Sequence, residues 1–280
     1  MASALLLAAC LAGLQTRDPS SFPAPLPVAL DQEGKAQDDP PTAGAYRPEE
    51  FKILRTKTGW TLPAGQFQLD AVASALAIDQ ELQGGGLPER SPLSLLFEAT
   101  YGITHWLTGE FTLPVLSVDQ GNGEVKSGLG DVAVELKGHF PRSWVPFDLA
   151  AGLRVAFPTG DEESGLGRGT TDWKGFAAAS QPLLDWLSIH GEAFIEAARG
   201  HRVGRGLNIA ADTTPWDPDV SLLLGLETSR DAGRSPSVQL TPGVEFRIRP
   251  RLVVVGIGVP IGLSNQSADW GLIVNLRVGF

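Results

Sequence analysis

The residues able to do chemistry recur at alternate positions of short apolar segments. Glu98, Glu110, Glu135, Glu192, Glu196, Glu227 and Glu245 stand at such positions, as do Asp70, Asp131 and Asp148. Arg154, Arg247 and Arg277, with Lys137, occupy equivalent places. Gathered around a passage, carboxylates favour cations. Paired across it with the basic groups, the same side chains would fill it and leave no pore. The residues alone leave both arrangements open.

Other chemistry finds less support. His105, His139, His190 and His201 show no metal-ligand spacing, and the lone cysteine, Cys10, excludes an internal disulfide or a Cys-rich metal site. Gly165-Leu166-Gly167-Arg168-Gly169 lacks the Lys-Ser/Thr of a phosphate loop and reads as an external loop. The neighbouring Asp161, Glu162 and Glu163 read as a solvated acidic stretch rather than a cation site. No His–Ser–Asn cluster suggests hydrolysis, so neither enzyme activity nor a cofactor or metal is expected. A net charge of −10 argues against nucleic acid.

A period of two positions these groups, because successive side chains of a strand point to opposite faces. The last segment shows it most clearly. Leu272, Val274, Leu276, Val278 and Phe280 share one face; Asn275, Arg277 and Gly279 share the other. Val238, Leu240, Val244, Phe246 and Ile248 likewise oppose Gln239, Thr241, Glu245 and Arg247. From Gly65 onward such segments repeat, and each has a register that keeps charge off its apolar face. A water-soluble sandwich has no need of that, whereas a charge at a lipid midplane costs about 2 to 4 kcal/mol. No run reaches the roughly 18 to 20 apolar residues of a membrane-spanning helix. The gaps alternate between short ones and long ones rich in Gly, Asp and Asn, as periplasmic turns and external loops do.

The fold expected is all-β, a closed antiparallel transmembrane β-barrel of about 12 strands, over residues 61–280. The visible segments give an odd count, and return of the carboxy terminus to the starting side requires an even one. The missing strand is placed near residues 204–213 (GRGLNIAADT). Residues 1–15 read as a signal peptide or the remnant of a lipoprotein signal, with Cys10 as a lipidation site. Residues 16–60, rich in Pro, Asp, Glu and Gln, read as a flexible periplasmic lead-in; a plug is the alternative, but the stretch is short and too polar to fold alone. Export of such a chain leads to the outer membrane of a Gram-negative envelope. Its partners there would be outer-membrane lipids, the barrel assembly machinery and an unidentified small solute.

Three stretches carry a family likeness: GLGDVAVELKGHF (128–140), FPTGDEESGLGRGTTDWKGFAAA (157–179) and SVQLTPGVEFRIRPRLVVVGIGVPIG (237–262). With the terminal DWGLIVNLRVGF they resemble the outer-membrane barrels grouped as putative transporters, or the meta-pathway of phenol degradation family. The resemblance spans roughly 65–280 and implies a porin-like channel or transporter for small solutes, hydrophobic or aromatic ones among them. It supplies no catalytic or binding residues. The terminal Phe280 also resembles the assembly signal of outer-membrane barrels. The alternatives are an outer-membrane lipid hydrolase and a non-conducting structural barrel.

Overall fold

A computed structural model describes residues 50–77, 93–119, 124–140, 144–198, 203–216, 219–231, 234–249 and 253–280. The sequence readings for residues 1–15, including Cys10, lie outside the described residues.

The chain crosses the barrel wall as β1 (Phe67–Ala77), β2 (Leu93–Thr104), β3 (Leu107–Asp119), β4 (Val125–Leu129 and Ala133–Phe140), β5 (Asp148–Ala156) and β6 (Asp172–Leu184). It continues as β7 (Leu187–Ala198), β8 (Gly204–Thr213), β9 (Val220–Asp231), β10 (Ser237–Arg249), β11 (Val253–Gly258 and Ile261–Gly262) and β12 (Trp270–Gly279). The 14 strand segments of the sheet therefore make 12 crossings, since β4 and β11 are each broken once. The break in β11 falls at Val259-Pro260, where proline has no N–H to give the ladder.

Each strand pairs antiparallel with its sequence neighbours, and β12 pairs with β1 from Trp270↔Ala77 to Gly279↔Gln68. That last pairing closes the sheet and removes both edges. The strand placed at 204–213 from parity is β8, which pairs with β7 and β9 along its whole length.

Burial is inverted relative to a water-soluble protein. Leu136, Leu153, Ile195 and Leu224 are 47–61% exposed, whereas Lys137, His190, Glu192 and Glu245 are at most 1% exposed. Charged residues are almost never fully buried, and a continuous apolar outer wall has no place in water. The outer wall is therefore built for lipid and the inner wall for polar contents.

Tryptophan marks the edges of that wall, a signal the alternation does not carry. Trp106, Trp144, Trp186 and Trp216 sit in the short turns at one end, and Trp173 and Trp270 begin strands at the other, all largely exposed. Indole rings favour the headgroup level, so the two sets lie where membrane interfaces would be. Replacing Leu224 with arginine should then cost about 2 to 4 kcal/mol of stability in lipid vesicles, and Leu224→Phe almost nothing. Urea titration of vesicle-inserted protein measures this. A near-zero cost for arginine, the usual result at a half-exposed position in water, would refute the lipid-facing assignment.

The reading of residues 16–60 as a lead-in fails over its last part. Residues 50–60 lie inside the barrel, and Phe51, Ile53, Leu54, Thr56 and Thr58 are buried there. This stretch cannot fold alone, yet the barrel wall supplies both the apolar surface and the counter-charges that it lacks.

Candidate functional site: the occupied lumen

Glu50 and Phe51 pair antiparallel with Lys57 and Thr56, which makes residues 50–57 a small hairpin. Its turn is a 3-10 helix, Lys52–Leu54, ended by Arg55 at φ 51, where the left-handed conformation reverses the chain. Arg55 is exposed, so the space beyond the hairpin tip admits water.

The wall is hollowed to receive the tip. A Cβ on Gly243 would come within 2.7 Å of the Ile53 side chain, and one on Gly256 or Gly258 within 3.2–3.3 Å of Ile53. A Cβ on Gly225 would sit 3.1 Å from Leu54. Phe51, Ile53 and Leu54 pack with Val72, Ala210, Leu223 and Ile273 into one apolar cluster across the lumen. Burial of such side chains is worth roughly 1.5 to 3 kcal/mol each, which anchors the tip.

Charge fixes the base. Lys52 Nζ lies 2.9 Å from Glu50, 2.8 Å from Glu98 and 2.9 Å from Glu110. Lys57 Nζ lies 2.6 Å from Glu50, 2.9 Å from Glu135 and 3.5 Å from Glu110. The Lys57 backbone N–H donates to Glu192 at 3.0 Å, and Glu192 also pairs with Lys174 at 2.7 Å. Arg277 donates to Asp70 at 2.9 Å and to the Glu50 carbonyl at 2.9 Å. Two ammonium groups thus bind four carboxylates of hairpin and wall, of which Glu98, Glu110 and Glu135 are buried. Removing either would leave uncompensated charge in a site closed to water.

A third contact set resembles a nucleophile–base–acid string. Ser180 Oγ is 2.8 Å from His190 Nδ1, and His190 Nε2 is 2.7 Å from Asp212. The string serves as an anchor: the Gly59 N–H donates to Ser180 Oγ at 2.8 Å, and the Trp60 indole donates to Asp148 at 2.7 Å. The rings of Phe51 and Trp60 lie 4.9 and 5.1 Å from that of His190. Ser180 is 1% exposed and faces the lumen, so a lipid ester at the rim cannot reach it.

The structure thus places Glu98, Glu110, Glu135, Glu192, Glu245, Arg247 and Arg277 buried on the lumen side, with Arg154, Glu196 and Glu227 half-buried there. Of these, Glu98, Glu110 and Glu135 converge on the hairpin lysines. Glu245 lies apart from that cluster, and neither of its carboxylate oxygens has a hydrogen-bond partner among the described residues.

Asp131 departs from the lumen-lining expectation. Its carboxylate accepts from Gly160 N–H at 2.9 Å and Arg168 N–H at 2.7 Å, and so pins the 157–171 loop to the barrel rim. Gly128 and Gly130 make room for Leu166, since a Cβ on Gly128 would lie 2.8 Å from its side chain. The GLGD and PTGD stretches are therefore two halves of one loop clasp. Within the loop, hydrogen bonds from Ser164 hold the Asp161 carboxyl below its ordinary value. Asp131→Ala should leave the closed barrel intact and free the loop, at about 1.5 to 3 kcal/mol for each charged hydrogen bond lost. Faster limited proteolysis within 157–171 would report it; an unchanged rate would remove Asp131 from that role.

No family model matches the chain, and no curated protein does. The phenol meta-pathway resemblance thus stays a resemblance. Solved structures do match. A COG4313 outer-membrane channel from Pseudomonas putida F1 aligns over 79% of this chain and 97% of its own, with 15% identity and a TM-score of 0.62. The KdgM porin aligns over 76% and 99%, with 10% identity and a TM-score of 0.52. The NanC porin aligns over 76% and 98%, with 8% identity and a TM-score of 0.51. At such identities the likeness establishes the fold. The chain has the architecture of an outer-membrane β-barrel.

Proposed function

We propose that this protein is an outer-membrane channel for small solutes, with a conducting path blocked by the Glu50–Lys57 hairpin. One observation carries the reading. At the hairpin tip the lumen is filled by a separate segment seated on the lumen-facing glycines Gly225, Gly243, Gly256 and Gly258, where the wall itself contributes no side chain. A barrel meant only as a rigid plug in the membrane would fill itself, as narrow barrels do. Here, withdrawal of Ile53 and Leu54 leaves a passage where four wall positions carry no side chain.

The wall beyond the tip bears on the solute. Val72 and Val118 are buried on the β1–β3 side, and Leu96 packs on the central apolar cluster. Lys174, Glu192 and Asp172 lie on the β6–β7 side. A passage with one apolar and one charged wall suits small solutes with a hydrophobic or aromatic part, the class that the family resemblance implies. The alternative of lipid hydrolysis gains nothing from the buried Ser180–His190–Asp212 string.

Planar-bilayer conductance tests the reading. The full chain should show rare, brief openings, and a variant lacking residues 50–57 should conduct steadily. Both proteins must first show heat-modifiable gel migration, which reports a folded barrel. A folded deletion variant as silent as the full chain would refute the channel reading.

A further inference from the structure

The loop-side end of the barrel carries a basic patch on its outer face. Arg205 is the second residue of β8 and Arg230 the last but one of β9, and the two are directly opposed across the ladder. Alternation turns both outward. Asn208 and Ala210 are buried towards the lumen, whereas Leu207 and Ile209, in step with Arg205, are exposed. Leu224, in step with Arg230, is exposed too. Arg234 joins the pair, because Arg230 Nε donates to its carbonyl at 3.0 Å.

Among the described residues, the Arg205–Arg230 pair has no carboxylate to compensate it. Like charges directly opposed on neighbouring strands repel each other. Among the described residues, neither Arg205 nor Arg230 has an ion-pair partner, and Asp231 stands 3.9 Å from Arg234 instead. The chain has a net charge of −10, so carboxylates are plentiful elsewhere. Ile195, Arg205, Leu207, Thr228, Arg230 and Pro236 line one shallow groove of about 390 Å³. Its Ile195 and Leu207 continue the apolar wall, and its arginines lie where that wall meets the loops.

We propose that this groove binds a phosphate group of a glycolipid in the outer leaflet. Arg205 and Arg230 clamp the phosphate, and Ile195 and Leu207 take the first part of an acyl chain. A guanidinium donates two parallel hydrogen bonds to phosphate oxygens, and a phosphate monoester carries enough charge to neutralise both arginines. Basic pockets at the membrane surface recognise lipid head groups through this same chemistry. The proposal rests on the outer-membrane reading, which sets the loop-side end in the outer leaflet.

Native mass spectrometry of the detergent-solubilised full chain provides the test, with bis-phosphorylated lipid A as probe. The wild type should retain one lipid A, and R205Q/R230Q should bind it roughly tenfold or more weakly, the loss of two charge-assisted contacts. Dephosphorylated lipid A should bind the wild type as weakly, and K126Q, elsewhere on the loop side, should bind like the wild type. Millimolar inorganic phosphate should fail to displace the glycolipid, because it lacks the acyl contact. Equal retention by R205Q/R230Q, or equal binding of dephosphorylated lipid A, would overturn the proposal. Displacement by phosphate would overturn the lipid assignment. Heat-modifiable migration and outer-membrane fractionation of both proteins keep the arms separate: a wild type absent from the outer membrane defeats the location, whereas a correctly located R205Q/R230Q that keeps its lipid defeats the groove alone.

Discussion

Lys57→Met should convert a closed barrel into an open one. Lys57 Nζ contacts Glu50, Glu110 and Glu135 in a site where its own side chain is 6% exposed. Methionine keeps the stem and removes the charge, so the apolar packing survives while carboxylates lose their partner. Breaking one side of a buried ion pair costs about 3 to 5 kcal/mol, because the remaining charge stays buried and uncompensated. Withdrawal of the hairpin opens the lumen to water and relieves that cost, so the penalty falls on the seated state. Each 1.4 kcal/mol shifts an equilibrium tenfold, which moves the seated-to-withdrawn ratio by roughly 10² to 4 × 10³. In planar bilayers the variant should conduct most of the time, and Lys57→Arg should stay close to the wild type. Trypsin should also cut the variant at Arg55, which in the wild type is open to water but lies inside a barrel too narrow for a protease to enter. Silent Lys57→Met channels with an intact hairpin would show that packing of Ile53 and Leu54 alone holds the lumen closed.

The barrel was legible in the sequence because lipid imposes a rule on every strand. Leu136, Leu153 and Leu224 must face hydrocarbon while Lys137, Arg154 and Glu227 must not, so period-two alternation survives even in single segments. Strand β8 was harder, since Gly204, Gly206, Ala210 and Ala211 blur the alternation; parity located it where local pattern could not. The hairpin was not legible. FKILRTKTGW (51–60) has neither a period of two nor one of 3.6, and its lysines look like solvated charges. One signal was available. The lumen-facing positions of β2, β3 and β4 carry Glu98, Glu110 and Glu135 against Lys137, and such an excess of buried carboxylate demands cations from another part of the chain. Lys52 and Lys57 are those cations. Asp131 was misread for a different reason: its strand breaks at residues 130–132, and alternation carries no information across a break. The outward Arg205 and Arg230 leave no such signal, because they lie at strand ends, beyond the segments that define the apolar face.

Deleting Phe280 should lower assembly into the outer membrane far more than any comparable change near the amino terminus. The physical reason is the seam. Phe280 N–H donates to the Phe67 carbonyl at 2.7 Å, and Phe67 N–H returns a bond to the Phe280 carbonyl at 3.2 Å. The two rings also lie 6.1 Å apart. These contacts begin the β12–β1 ladder that closes the sheet, and a closed sheet is the only one that leaves no unpaired backbone groups in hydrocarbon. Loss of two hydrogen bonds at about 1 kcal/mol each and an aromatic pair at about 0.5 to 1.5 kcal/mol weakens the seam where closure starts. We further propose that the assembly machinery reads this terminal aromatic in the unfolded chain, so the kinetic loss exceeds the thermodynamic one. Phe280→Asp should then be at least as damaging as the deletion, and Phe280→Tyr should be tolerated. Deletion of Pro41 serves as the matched control and should change nothing. The readout is the heat-modifiable, membrane-inserted fraction in cells, set beside refolding into vesicles without the machinery. A defect in cells that is mild in vesicles identifies recognition, and equal defects identify the seam alone. Were the Phe280 deletion to assemble like the wild type in both, the terminal residue would be as dispensable as the frayed end of a soluble domain, and closure would have to begin elsewhere along Trp270–Gly279.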